Sequence, residues 1–155
     1  MDRELHRDLA GRTPGTVNAY LDSSVLLRIV LGEPDPLSSW GRIDQALSSE
    51  LIRLECLRTI DRARVQLRLP DEAVARQRAN VLEALDGIGL VPLSTTVLER
   101  AAEPFPTLIG SLDAIHLASA LLVREQYEGL LFATHDEQLA LAARSMVFAV
   151  AGVRA

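Results

Sequence analysis

The chain has 155 residues and a mass of 16.9 kDa, enough for one domain with a sizeable core and too short for most multi-domain enzymes. Its 48% hydrophobic and 24% charged residues sit near the globular average and exclude a wholly disordered chain. All 16 basic residues are arginine, which excludes a lysine nucleophile, a Schiff base or a P-loop lysine, and the net charge of −5 argues against indiscriminate nucleic-acid binding. Eight of those arginines fall between Arg42 and Arg78, so one region can be basic while the whole is acidic. No apolar run approaches the roughly 20 residues of a membrane helix. The charged start is not a secretory signal, and the single cysteine, Cys56, excludes an internal disulfide or a Cys-based zinc site. The expected compartment is the cytoplasm.

Residues 1 to 16 carry mixed charge and little periodicity and read as a tail, with the domain spanning 17 to 155. From Val17 strands and helices alternate. Val17 to Leu21 is a short strand ending at Asp22, followed by a helix from Ser23 to Leu31 that Gly32-Glu33-Pro34-Asp35-Pro36 breaks. A helix through Trp40 to Leu47 is predicted next, then a short strand over Ser48 to Leu51 and an arginine-rich helix from Ile52 to Leu69. Pro70-Asp71 opens a helix whose apolar residues Val74, Val81, Leu82 and Leu85 keep helical spacing up to Gly87. Ile88 to Leu93 is a strand, and Ser94 to Ala102 a helix with Thr96 and Glu99 at capping-box spacing. A nearly all-apolar helix runs from Leu112 to Glu125 with Ser111 as its cap. Leu130 to Ala133 is a buried-type strand, Glu137 to Arg144 a helix, and Val147 to Val150 the last strand. Short apolar strands separated by helices mean an α/β fold, a parallel sheet covered on both faces. In such sheets ligands bind beyond the carboxyl ends of the strands.

Four acids stand where that rule directs attention. Asp22 follows the first strand directly and Asp136 follows Leu-Leu-Phe-Ala-Thr-His. Asp113 opens the apolar helix, and Glu55 lies in the first turns after the second strand. Each has an ordinary explanation when taken singly. Asp22 and Asp136 are placed to cap helices, Asp113 is favoured by a helix dipole, and Glu55 with Arg58 is a common i,i+3 pair. Gathered within about 6 Å, four carboxylates would repel by roughly 3 kcal/mol per pair at an effective dielectric near 20. Over all pairs that is on the order of 15 kcal/mol, more than a typical domain's stability. Such a cluster needs shared protons, arginines or divalent cations, and oxygen-only ligands suit Mg2+ or Mn2+. A carboxylate-held metal at a sheet rim is suited to phosphoryl chemistry.

Four stretches in order, Tyr20-Leu-Asp-Ser-Ser-Val-Leu-Leu27, Ser49-Glu-Leu-Ile-Arg-Leu-Glu-Cys-Leu-Arg58, Leu112-Asp-Ala-Ile-His-Leu-Ala118 and Thr134-His-Asp-Glu-Gln-Leu139, resemble the PIN domain, specifically the VapC toxins of bacterial toxin–antitoxin pairs. The resemblance covers the chain from about Val17 to its end, and the leading 16 residues depart from it. It implies a three-layer α/β/α fold in which Asp22, Glu55, Asp113 and Asp136 form an acidic quartet that is both catalytic and metal-binding. It further implies a Mg2+- or Mn2+-dependent endoribonuclease leaving 5′-phosphate and 3′-hydroxyl ends, paired with a VapB-type antitoxin and homodimeric.

Other side chains carry two readings each. Ser23, Ser24 and Thr134 have hydroxyls beside the acids and either orient a carboxylate or cap helices. Arg58 and Arg62, with Arg53, either hold RNA phosphates or form a solvated face. His116 on the apolar helix reads as a packed, hydrogen-bonded core residue, His135 as more exposed, and Trp40 as core or dimer interface. Ser24 and the missing lysine set the chain apart from dehalogenase-like phosphatases and phospho-receiver domains. The rival of a different class is a PIN fold that binds RNA or protein without cutting it.

Overall fold

The computed structural model describes residues 15–154; the tail reading for residues 1–14 lies outside them. Five strands form one sheet in the order β3-β2-β1-β4-β5, every neighbouring pair parallel. They are β1 (Val17–Leu21), β2 (Ile43–Ser49), β3 (Ile88–Val91), β4 (Leu131–Ala133) and β5 (Ala149–Ala151). Six helices cross between them: α1 (Ser23–Val30), α2 (Leu51–Leu67), α3 (Asp71–Asp86), α4 (Thr95–Ala102), α5 (Ser111–Val123) and α6 (Glu137–Ser145). Among the described residues no helix is long and apolar enough to cross a membrane.

The side-chain alternation of β1 divides the core in two. Ala19 and Leu21 point to one face, where they meet Val25 and Leu26 of α1, Ile52, Cys56 and Ile60 of α2, and Val74, Val81 and Leu85 of α3. Tyr20 points to the other, among Val97 of α4, Leu117 and Ala120 of α5, and Leu139, Ala142 and Ala143 of α6. The result is the expected α/β/α sandwich, with three helices on each face of a parallel sheet. Trp40 is half-buried and packs against the first of these cores.

The segment from Trp40 to Leu47 corrects the sequence reading. Only Trp40–Arg42 is helical, as one tight 3₁₀ turn, and Ile43 begins β2. Trp40, Ile43 and Leu47 fall at i, i+3 and i+7, which imitates a helical stripe. Pairing overrides it, because β2 lies between β1 and β3 and is hydrogen-bonded on both edges. A register shift between Val17 and Asn18 leaves one extra residue on β2, so Ile43 and Ala46 reach the same core despite a spacing of three. Smaller corrections follow from caps and turns. Ser94, not Thr96, caps α4, accepting from the Val97 amide at 3.2 Å. Helix α5 starts at Ser111 with Gly110 in the cap position. β5 begins two residues later than expected, because Val147 turns the chain out of α6 at φ 68°.

Candidate active site

Parallel strands share one carboxyl edge, and two of the four acids, Asp22 and Asp136, follow from it directly. Asp22 is the first residue after β1 and is 4% exposed. Its amide continues the sheet by donating to the Ala133 carbonyl at 3.2 Å. Both carboxylate oxygens are held: the Ser24 hydroxyl donates to Oδ1 at 2.5 Å and the Thr134 hydroxyl to Oδ2 at 2.8 Å. Those hydroxyls are held in turn. The Asp136 amide donates to Thr134 Oγ1 at 3.0 Å, and the His135 amide donates to Ser24 Oγ at 2.9 Å. The chain after β1 and the chain after β4 are thereby locked to each other through two hydroxyls. Ser24 and Thr134 orient the carboxylate; neither makes a helix-cap bond.

Gly152 completes this arrangement from the third strand end. It has φ +106°, and a Cβ there would run into the Thr134 carbonyl. Its carbonyl accepts from His135 Nδ1 at 2.7 Å, and the Thr134 amide donates to Ala151 at 3.0 Å. Only glycine lets the exit from β5 press this closely on the residues that hold Asp22.

Asp136, exposed, caps α6 through Oδ1 and the Leu139 amide at 2.8 Å, so the ordinary explanation for this acid is realised. Glu55 is on the second turn of α2 and meets no arginine among the described residues. Its Oε1 lies 2.5 Å from Nε2 of His116, and its Oε2 accepts from Ser23 Oγ at 3.3 Å. His116 is 1% exposed, and its Nδ1 lies 2.9 Å from the Tyr20 hydroxyl. Burial pushes the Tyr20 phenol far above its ordinary value, so it keeps its proton. With Nε2–H donating to the carboxylate, Nδ1 is left to accept from Tyr20. The expected Glu55–Arg58 pair is not formed: Arg58 turns along α2 to Asp61 at 3.1 Å, and Arg64 reaches the same carboxylate at 2.9 Å.

Asp113 stands in the first turn of α5, half-buried, and is held by none of these bonds. Burial raises its carboxyl to about 6, and the charges of Asp136, Asp22 and Glu55 push in the same direction against His116. Asp22 is also raised, by burial above all, with the Ser24 and Thr134 hydrogen bonds opposing. The four acids therefore share one electrostatic field. The donor set is all oxygen and mutually repulsive, which suits a hard divalent cation. As the side chains lie, no three His, Cys, Asp or Glu among the described residues close on one ion.

The sequence reading missed what His116 does. It is a buried core residue, as expected, and it is also the donor that fixes Glu55. The available signal was its position three residues after Asp113, which puts both on one side of α5.

A family model for the PIN domain matches residues 19–145. The chain belongs to the PIN-domain family. Among the curated members, ribonuclease VapC47 of Mycobacterium tuberculosis (strain CDC 1551 / Oshkosh) is 31% identical over 139 residues, 85% of this chain and 94% of that protein. Ribonuclease VapC46 of M. tuberculosis (strain ATCC 25618 / H37Rv) is 31% identical over 134 residues, 84% of this chain and 94% of that protein. Two solved structures share the PIN fold. A toxin–antitoxin complex from Klebsiella pneumoniae matches with a TM-score of 0.61 at 18% identity, over 89% of this chain and 97% of that one. VapBC2 of Rickettsia felis, bound to a DNA fragment from its promoter, matches with 0.60 at 10% identity, over 86% and 97%.

Proposed function

We propose that this PIN domain is a VapC-type toxin ribonuclease, a Mg2+- or Mn2+-dependent endonuclease that hydrolyses RNA phosphodiesters at the carboxyl edge of its sheet. The observation that carries the proposal is the gathering of Asp22, Asp113, Asp136 and Glu55 at one edge of the sheet, where burial first and then the charges of the other three acids raise Asp113 to about 6. Two relatives named ribonuclease VapC, covered almost end to end, support the same reading. Asp22 and Asp113 would hold the cation, with Asp136 and Glu55 beside them. A bound divalent cation would supply positive charge against the phosphate and acidify a water.

The chain's own residues do the rest. Ser24 and Thr134 hold Asp22 in one orientation, and His116 does the same for Glu55, so two carboxylates are set before substrate arrives. Asp113 has no such tie and is free to swing towards a cation. A VapB-type antitoxin partner is supported by the structural neighbours, which are toxin–antitoxin assemblies. Homodimer formation is the companion expectation; Leu98, Leu112 and Leu122 on α4 and α5 are large apolar side chains left between 45% and 51% exposed.

The rival reading, a PIN fold that binds without cutting, draws on the absence of any three donors closed on one point among the described residues. Incubation of total RNA with the purified chain in Mn2+, Mg2+ or EDTA, beside Asp22→Ala, separates the two. Discrete metal-dependent fragments absent from the variant are expected. Retained cleavage by Asp22→Ala would overturn the site, and no cleavage by antitoxin-free, metal-loaded protein would favour the binder.

A further inference from the structure

Beside the acid cluster, where His135 and Gly152 follow β4 and β5, lies a cavity of about 480 Å³. Its walls are Arg28 from the last turn of α1, the loop 35–38, His135, and the segment 152–154 that leaves β5. Arg28 is anchored there, its Nη1 donating to the Asp35 carbonyl at 3.1 Å across a loop that takes φ 56° at Asp35. Arg154 closes the other side. Arg28 and Arg154 thus line one cavity together with a single acid, Asp35, in a chain whose net charge is −5. Among the described residues neither guanidinium ion-pairs with a carboxylate.

His135 joins the two places. Its amide holds Ser24, which holds Asp22, and the next residue is Asp136. Its Nδ1 donates to the Gly152 carbonyl, so Nε2 is a bare acceptor, and Nε2 is buried with no hydrogen-bond partner. An unpaired buried acceptor is uncommon and points to a donor supplied from outside the fold.

Resting on the nuclease reading above, we infer that this cavity is a nucleotide subsite: Arg28 and Arg154 grip the backbone phosphate of the nucleotide next to the one that is cut. Guanidinium forks suit phosphate oxygens, whereas an acid cluster alone repels an RNA strand. The hydroxyl or amine of that nucleotide supplies a donor to His135 Nε2. On α2, Arg58 and Arg64 are less available for this work, because both pair with Asp61.

The test is fluorescence anisotropy of a 5′-fluorescein single-stranded RNA 12-mer of mixed sequence, titrated with the full chain carrying Asp22→Asn to prevent cleavage. Salt runs from 50 to 200 mM. Each phosphate neutralised on a single strand contributes about 0.7 to the slope of log affinity against log salt, so Arg28→Ala/Arg154→Ala, which frees one phosphate, should weaken binding and flatten that slope by about 0.7. The control pair Arg76→Ala/Arg78→Ala on α3 removes the same charge and should leave the slope near the parent's. Arg154→Ala alone, at an exposed position, keeps the test valid should Arg28→Ala impair folding. Binding by the parent with an unchanged slope in both Arg154 variants would overturn the subsite and leave the nuclease reading intact. Loss of binding to a fluorescein oligoglutamate peptide with RNA binding unchanged would overturn it in favour of an acidic partner segment. No RNA binding by the parent would overturn the subsite together with the reading it rests on.

Discussion

The two sides of the acid cluster are built differently. On the β1–β4 side, Asp22, Ser24, Thr134 and the amides of His135 and Asp136 form a closed run of hydrogen bonds, pressed from behind by Gly152. On the α5 side, Asp113 has no tether and carries the raised carboxyl, while Glu55 is fixed from below by the buried His116. One side is closed by backbone amides and hydroxyls; the other is held at Glu55 alone. Backbone amides at strand ends have fixed directions and can organise hydroxyls around Asp22. A side chain on the first turn of a helix has no such neighbours, and the charges of Asp136, Asp22 and Glu55 press on Asp113 there.

Substitutions at five positions break or sharpen that contrast. The largest effect is expected from Asp22→Asn, which keeps the shape of the locked side but removes its charge; cleavage of RNA in Mn2+ should fall by about 10²–10³-fold while the melting temperature holds or rises. Next is His116→Leu, which leaves Glu55 Oε1 without its donor. Loss of such a supporting group typically weakens metal binding by about 10–100-fold, measurable as Mn2+ affinity by calorimetry. The tether model requires His116→Gln to recover part of it.

Thr134→Val should act on stability instead. It strands Asp22 Oδ2 and the Asp136 amide in a buried place, at a cost of about 1–3 kcal/mol, read from urea unfolding. Gly152→Ala is expected to fall in the same range, because the new methyl group displaces the Thr134 carbonyl.

The smallest effect, of opposite sign, belongs to Asp113→Asn. In EDTA the variant should be more stable than the parent by on the order of 1 kcal/mol after solvent screening, or about 2–4 °C. The sign follows from the folded-state carboxyl at about 6, above its ordinary 3.8. The folded parent holds this proton more tightly than the unfolded chain, so its penalty is present at pH 7 to 8 and fades as pH falls through 6 towards 3.8. Parallel melts at pH 8 and pH 5 check this, and a difference that grows in acid would contradict it.

Much of this was legible in the residues. Asp22 and Asp136 each follow a short apolar strand, and the carboxyl-edge rule then places them without coordinates. Thr134 and Ser24 were legible as hydroxyls beside acids, though not the bonds that Thr134 makes to Asp22 across 112 positions and Ser24 to His135 across 111. β2 was misread because Trp40, Ile43 and Leu47 carry a helical spacing, and only the neighbouring strands overrule it. His116 looked like core because it is core; its Nε2 is turned by Tyr20, a residue on another element. Gly152 gave no signal, since its requirement comes from a close approach to residues 18 positions earlier.

Mn2+ titration of the EDTA-stripped chain tests most directly whether the acid cluster acts as one cation site. Calorimetry should show saturable binding to the parent, accompanied by a rise in melting temperature, and binding at least about 10-fold weaker in Asp113→Asn. Equal affinity in parent and variant, or no binding to either, would contradict it.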